Sequence, residues 1–348
     1  MYQVFWPVLI ALLVAYFSTP LVIKLAIKWG AMDAPCERKV HTCAMPRMGG
    51  LAIYAGFVAA VLMTQAVDAK LIGILIGCTI IIILGVVDDI KGVSPKVKLA
   101  VQTLAALVVV LFGVKVNILT NPFADVLFLE NFKLAIPFTV LWIVGVTNAV
   151  NLIDGLDGLA AGTSGIAAIT IAVVAFGEGH VAVAALAMIL AASVLGFLPF
   201  NFHPAKVFMG DTGSMFLGFT LSVLAVVGLT KSATVISIFI PIVILGIPIF
   251  DTMYAIIRRF LNGTPIFQAD KEHLHHQLLN MGLTHRQTVL TIYGVNICLG
   301  GSAVLMSLMA PPQAVIILIG LTAIMLIGMN HLSFTAFTKR EKAKHFGG

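Results

Sequence analysis

The chain has 348 residues, of which 60% are hydrophobic and only 10% charged, with a formal net charge of +6. A soluble domain carries about 25% charged residues, so this composition excludes an ordinary water-soluble fold. No segment shows the sustained apolar/polar alternation of an outer-membrane barrel, which leaves helices to satisfy the backbone polar groups in hydrocarbon.

A span needs roughly 20 apolar residues. Read in chain order on that rule, the sequence predicts an all-α polytopic membrane protein of eleven transmembrane helices. They lie near 4–27, 49–67, 70–87, 97–114, 134–150, 159–176, 181–198, 213–230, 233–256, 287–309 and 313–330. No internal repeat or low-complexity tract interrupts them, so residues 1–348 read as one integral-membrane domain. The first run has no basic residue before it and carries Lys24 and Lys28 at its end. A secretory signal peptide has the opposite polarity, so this run reads as a retained helix with its N-terminus outside.

Eleven spans then bring the C-terminus to the cytoplasm. In that orientation sixteen lysines and arginines fall in inner segments, and only Lys70, Lys115, Lys133 and Lys231 fall outside. The positive-inside rule decides the orientation. The predicted cytoplasmic segments are near 28–48, 88–96, 151–158, 199–212 and 257–286, with a basic tail at 331–348. The net positive charge follows from this topology, and no nucleic-acid partner is expected. The four cysteines are scattered: Cys78 and Cys298 lie in apolar runs, and Cys36 and Cys43 share a loop without the second ligand pair of a zinc site.

Asp88, Asp89, Asp154, Asp157 and Asp211 all fall at inner ends of spans or beside them. An aspartate at a helix centre costs about 2.5 to 3.5 kcal/mol on insertion scales, so these five must face water, metal or one another. The first motif, Gly85-Val86-Val87-Asp88-Asp89-Ile90-Lys91-Gly92, is followed by Lys98 and Gln102. Adjacent carboxylates with lysines one or two turns away suit metal-bound phosphates, and a solvated, ion-paired helix end is the alternative.

The second motif runs from Asn148 to Leu159. Asn151, Asp154 and Asp157 recur every three residues, so a helix would put them on one face, whereas Gly155 and Gly158 allow a break. Such oxygen ligands suit Mg²⁺, and this reading is favoured over a capping loop because two unpaired acids here are expensive. In the third motif, Asn201 to Ser214, the run Gly210-Asp211-Thr212-Gly213-Ser214 opens a helix whose free N–H groups favour an anion; taken alone, the motif reads better with Asp211 as a simple N-cap. The fourth is the 257–286 loop, with Arg258, Arg259, His273, His275, His276, His285 and Arg286. It reads as a cluster that contacts phosphate or sugar. No cysteine or fixed acid is seen to complete a transition-metal site there.

With these motifs in order, the chain resembles the polyprenyl-phosphate N-acetylhexosamine-1-phosphate transferases, which include the phospho-MurNAc-pentapeptide translocases. The resemblance rests on Pro46-Arg47-Met48-Gly49-Gly50, Asp88-Asp89, the Asn151–Gly158 segment, Phe208–Ser214 and His273-Leu274-His275-His276. It implies transfer of a sugar-1-phosphate from a UDP-sugar to undecaprenyl phosphate, with UMP released and Mg²⁺ required, Mn²⁺ being an alternative. It also implies the bacterial inner membrane, with the active site facing the cytoplasm. Leu274 interrupts the histidine run, which favours UDP-GlcNAc over UDP-MurNAc-pentapeptide and leaves UDP-GalNAc open. The envelope polymer served, teichoic acid, lipopolysaccharide or another cell-wall glycan, stays open, as does a homodimer.

By resemblance, Asp211 is a magnesium ligand, with Asn151 or Asp154 as partners. Gly155, Leu156, Asp157 and Phe208 hold the uridine. Asp88 is a base or lipid-phosphate contact, with Asp89, Lys98 and Asn201 beside it. Arg47 belongs to the first matching segment and counts among the substrate-binding residues, and Arg259, His273, His275 and His276 contact sugar and diphosphate. Two rival classes are weighed against this. A secondary transporter would place its acids near the midplane on repeated, broken helices. A CDP-alcohol phosphatidyltransferase would need Ala-Arg where this chain has Ala161-Gly162.

Overall fold

The computed structural model describes residues 2–33, 44–116, 118–119, 127–128, 132–229, 236–261, 263–264 and 273–346. In chain order the elements are α1 (Tyr2–Trp29), β1 (Met32–Asp33), β2 (Met45–Pro46), α2 (Gly50–Thr64), α3 (Ala69–Lys91), α4 (Pro95–Leu111), β3 (Ile118–Leu119), β4 (Leu127–Phe128), α5 (Phe132–Leu152), α6 (Leu159–Gly177), α7 (Val181–Asn201), α8 (Gly210–Leu229), α9 (Ile236–Ile244), α10 (Gly246–Leu261), α11 (Leu274–Asn280), α12 (His285–Leu308) and α13 (Pro311–Phe346). The four strands make two short antiparallel pairs, β1 with β2 and β3 with β4.

Each of the eleven apolar runs is helical over most of its described residues. Among the described residues eight helices, α1, α3, α5, α6, α7, α8, α12 and α13, are long and apolar enough to cross a membrane, and α2 is a shorter apolar helix. The run at 233–256 forms two helices instead of one. Pro248 has no N–H to offer, and its ring crowds the carbonyl four residues back, at Ile244, where α9 ends. Residues 331–346, expected as a tail, continue α13. Arg38, Lys39, Cys36 and Cys43, as well as Lys231 and Lys271, lie outside the described residues.

α8 is the buried axis of the bundle, packed by α2, α3, α5 and α6, with Met215, Phe216, Leu217 and Phe219 fully buried. Small residues permit this: a side chain at Gly218 would collide with Thr147 of α5. The outer surface is the reverse of a soluble protein's. Phe17, Leu111, Leu141, Phe176 and Ile316 are exposed, as expected where the solvent is lipid. α3, α5, α7 and α10 end, and α4, α8 and α12 begin, with the motif residues. The antiparallel packing therefore gathers those motifs at one end of the bundle.

Candidate active site

The carboxylate pair at the end of α3 divides its duties. Consecutive residues on a helix leave it about 100° apart, so Asp88 and Asp89 face different neighbours. One oxygen of Asp88 accepts the Val93 N–H at 2.6 Å and the other pairs with Lys98 Nζ at 2.6 Å. Lys98, in the first turn of α4, also donates to Asp211 Oδ2. The other Asp211 oxygen accepts Asn151 Nδ2 at 3.1 Å, and that amide also reaches Ser214 Oγ at 2.8 Å. One ammonium thus bridges carboxylates from two helices, and Asn151 from α5 closes the group. Behind it Asn148 donates to Gln102 Oε1 at 2.7 Å, holding α5 against α4.

Asp89 points the other way. It is 1% exposed and accepts from Asp211 N at 3.1 Å, Thr212 N at 3.1 Å and Thr212 Oγ1 at 2.6 Å. The anion at the N-terminus of α8 is therefore the protein's own Asp89. Gly210 (φ +72°) must be glycine, because a Cβ there would meet the Asp89 carboxylate. Asp211 is not an N-cap; it lies inside α8 with its side chain turned to Lys98. Arg47 donates from Nε to the Asp89 carbonyl at 2.9 Å and lies 3.8 Å from Asp33 Oδ1. Its segment pairs with the third motif through Phe208 N to Pro46 O (2.8 Å), Gly49 N to Phe208 O (3.0 Å) and Gly50 N to Met209 O (2.9 Å). Asn201 is buried, and its amide donates to Val207 O at 3.0 Å. It holds the turn that leads to Phe208.

The helical face considered for Asn151, Asp154 and Asp157 does not form. α5 stops at Leu152, and 153–158 is a turn in which Gly155 N reaches Ile153 O at 2.8 Å. Leu156 is buried. Burial, and then the charges of Asp211, Asp89 and Asp157, push the Asp154 carboxyl well above the usual carboxylate range. A cation beside Asp154 would relieve both effects.

That electrostatic demand, with an all-oxygen set from Asp211, Asp154 and Asn151, fits Mg²⁺. Among the described residues no three carboxylates bring ligand atoms within 4.8 Å of one another. Mg²⁺ does not require it, since it takes one or two carboxylates with waters and phosphate oxygens.

Two further groups flank this centre. At Asp157, Oδ2 accepts His203 Nδ1 at 2.9 Å and Ala205 N at 3.1 Å. His203 stacks on His285 at 4.2 Å between ring centroids. Tyr293 OH donates to Gly158 O at 2.5 Å, and Arg286 lies over the Phe202 ring. Sequence reasoning missed His203 and Tyr293 as partners of this loop.

It also missed Asp251, a buried acid of α10 that accepts His273 Nδ1 and the Leu274 N–H, both at 2.8 Å. This fixed acid moors the histidine segment. The available signal was a single carboxylate inside the apolar run 233–256. His275 lies against Gly155, where any Cβ would strike its ring, so the histidine segment joins the 151–158 turn. Burial, and then the neighbouring His276, lower the His275 imidazole to about 3, which keeps it neutral. Arg258 and Arg259 close α10, with Arg258 5.6 Å from the Tyr254 ring centroid.

Residues 71–229 match the family model described as Glycosyl transferase family 4. A Bacillus subtilis (strain 168) protein named probable undecaprenyl-phosphate N-acetylglucosaminyl 1-phosphate transferase is 50% identical over 302 residues, covering 86% of this chain and 83% of that one. The decaprenyl-phosphate N-acetylglucosaminephosphotransferase of Mycobacterium leprae (strain TN) is 38% identical, over 82% of this chain and 79% of its own. A phospho-N-acetylmuramoyl-pentapeptide-transferase of Clostridium kluyveri is 31% identical, over 86% of this chain and 99% of its own.

Proposed function

Because this chain belongs to glycosyl transferase family 4, the polyprenyl-phosphate N-acetylhexosamine-1-phosphate transferases, we propose that it transfers N-acetylglucosamine-1-phosphate from UDP-GlcNAc to undecaprenyl phosphate and releases UMP. The observation that carries the reading is Lys98 bridging Asp88 and Asp211. Two carboxylates and an ammonium from α3, α4 and α8 converge where the end of α5 and the 153–158 turn also arrive. GlcNAc is preferred over the pentapeptide sugar because the two relatives with the higher identity carry that sugar in their names.

In the reaction a lipid-phosphate oxygen bonds to the β-phosphorus while the bond from that phosphorus to the UMP oxygen breaks, and the electron pair leaves with UMP. A phosphomonoester has its second pKa near 6, so at neutral pH the nucleophile is already largely deprotonated and a general base adds little. Positioning and charge neutralisation then carry most of the barrier reduction. Lys98 offsets negative charge on the meeting phosphates. Asp88 orients Lys98 and, through it, the lipid phosphate. Asp211, with Asp154 and Asn151, would hold Mg²⁺, which when bound neutralises the diphosphate and the departing phosphate. Asp89 works at one remove, by fixing α8 and hence Asp211. Gly155, Leu156, Asp157 and Phe208 would face the uridine, and Arg47, Arg259, His273, His275 and His276 the sugar diphosphate.

The same reading has eleven crossings, the N-terminus outside, and the catalytic end at the cytoplasmic face of a bacterial inner membrane, where UDP-sugars are made. The bias of lysine and arginine supports it.

The test is direct. Purified chain with undecaprenyl phosphate, Mg²⁺ and labelled UDP-GlcNAc, UDP-GalNAc or UDP-MurNAc-pentapeptide is scored for lipid-linked product and UMP. Product and UMP in equal amounts from UDP-GlcNAc support the reading. Turnover of another sugar alone overturns the specificity, and transport into sealed vesicles without lipid product overturns the enzyme.

A further inference from the structure

One helical turn behind the residues that meet at Asp211, the same three helices meet again. Gln102 follows Lys98 by one turn on α4, Asn148 precedes Asn151 by about one turn on α5, and Met215 follows Asp211 by one turn on α8. Residues three or four apart share a helix face, so the two sets stack as tiers. In the first tier Lys98 and Asn151 both donate to Asp211. In the second, Asn148 Nδ2 donates to Gln102 Oε1 at 2.7 Å, and Gln102 Nε2 lies 3.3 Å from Met215 Sδ. Gln102, 1% exposed, joins the other two.

The partners fix the direction of these bonds. Asn148 Nδ2 also donates to Val144 O at 2.8 Å, so turning that amide over would set oxygen against oxygen at both ends. Burying an amide whose second partner is only a thioether costs free energy. Packing alone does not call for it, because the other buried residues of α4 are Ala105, Ala106, Val109 and Val110. Such small apolar side chains let helices approach closely but hold their register weakly. A buried interhelical amide sets it, as a single buried Asn does in a coiled coil.

We propose that Gln102 is a positioning residue for the transfer, setting the register of α4 against α5 and α8 so that Lys98 reaches Asp88 and Asp211 together. The role rests on the transfer reaction proposed above. Gln102 touches no reacting atom and acts through Lys98, which stands one turn nearer the carboxylates on the same face of α4. The side of α4 that carries Leu104 and Leu111 is exposed, so no helix behind it holds Lys98 in place. A misplacement of about 1 Å from a change outside the chemistry costs on the order of 10²-fold in rate.

The test compares full-length wild type in detergent with Gln102→Met and Asn148→Leu, which keep side-chain shape and remove the amide. Each should lower kcat with UDP-GlcNAc and undecaprenyl phosphate by about 10- to 100-fold, with KM for UDP-GlcNAc within about threefold and melting close to wild type. Gln102→Met combined with Lys98→Gln should be no slower than Lys98→Gln alone, because the first residue acts through the second. A second readout needs no turnover: acylation of lysines by acetic anhydride, followed by mass spectrometry. Lys98 should react faster in Gln102→Met than in wild type, while the exposed Lys96 reacts alike in both. Wild type without turnover overturns the transfer reading, and the labelling then decides the role of Gln102 by itself. Unchanged kcat in an active enzyme, or unchanged labelling of Lys98, overturns the proposal. Defects that multiply in the double variant give Gln102 a role apart from Lys98 and overturn it equally. So does activity lost only in proportion to folded protein, which makes Gln102 a structural contact.

Discussion

The carboxylate of Asp89 on α3 receives both the backbone N–H and the hydroxyl of Thr212 on α8, so the N-terminus of one helix is capped by the C-terminal end of another. The contact spans 123 residues of sequence and fixes where Asp211, next to Thr212, must stand. Asp89→Ala should therefore destabilise the protein as well as inactivate it. It removes the acceptor for the Asp211 and Thr212 N–H groups, the second of them buried, at a cost on the order of 1 to 3 kcal/mol. Melting curves of Asp89→Ala and Asp88→Ala in detergent check this. The account expects Asp89→Ala to melt at the lower temperature, and equal melting would contradict it.

Lys98 pairs with both Asp88 and Asp211. Replacing it by Gln keeps a hydrogen-bonding head but removes the charge. Turnover should fall by about 10²- to 10³-fold, the usual loss when a group that stabilises developing charge is removed. KM for UDP-GlcNAc should change far less if, as proposed, the ammonium acts on the phosphates as they react. Steady-state kinetics of the variant decide it: a rise in KM with kcat intact would make Lys98 a simple binding residue.

Asp211→Asn keeps nearly the same volume while removing a formal charge from the proposed cation site. It should lose most turnover at saturating Mg²⁺ yet accumulate in the membrane normally. Titration of activity with Mg²⁺ tests this. If turnover and the Mg²⁺ midpoint both stay near wild type, the metal belongs to the Asn151–Asp157 segment alone.

His275 gives a pH signature in stability. Its folded pKa, lowered to about 3 chiefly by burial, lies below its unfolded value of about 6.5. Between those values the unfolded chain binds more protons, so stability rises with pH and is lost as pH falls below about 6.5. The slope is at most about 1.4 kcal/mol per pH unit. His275→Gln removes this linkage, and its melting temperature should fall less than that of wild type from about pH 7 to pH 5. Parallel curves would show that His275 takes up protons as freely when folded as when unfolded.

Much of the architecture was legible because hydrophobic length is a local property: runs such as 70–87 and 159–176 became α3 and α6 with small changes at their ends. The division of 233–256 was visible only as Pro241 and Pro248, whose effect depends on the carbonyl four residues back. At the site, Asp88 and Asp211 stood out because acids at helix ends are expensive beside lipid. Asp251 did not, since one carboxylate scarcely lowers the mean hydropathy of a long apolar run. The different duties of Asp88 and Asp89 follow from the turn of the helix and from neighbours 5 to 123 residues away. Sequence spacing carries no such information. His203 and Tyr293 escaped notice for the same reason, each finding its partner across the fold.

Asp88 is proposed to organise charge and not to remove a proton, and the pH–rate profile of Asp88→Asn beside wild type separates these two roles. Both are followed from about pH 5.5 to 9 with both substrates saturating. A required base would be missed most at low pH, where the lipid phosphate carries its second proton, and least above about pH 7, where solvent has removed it. An organiser of Lys98 and the lipid phosphate is missed equally throughout. The account predicts a loss of similar size at every pH where wild type is active. A defect that shrinks about tenfold per pH unit across the acid limb would contradict it and make Asp88 the general base.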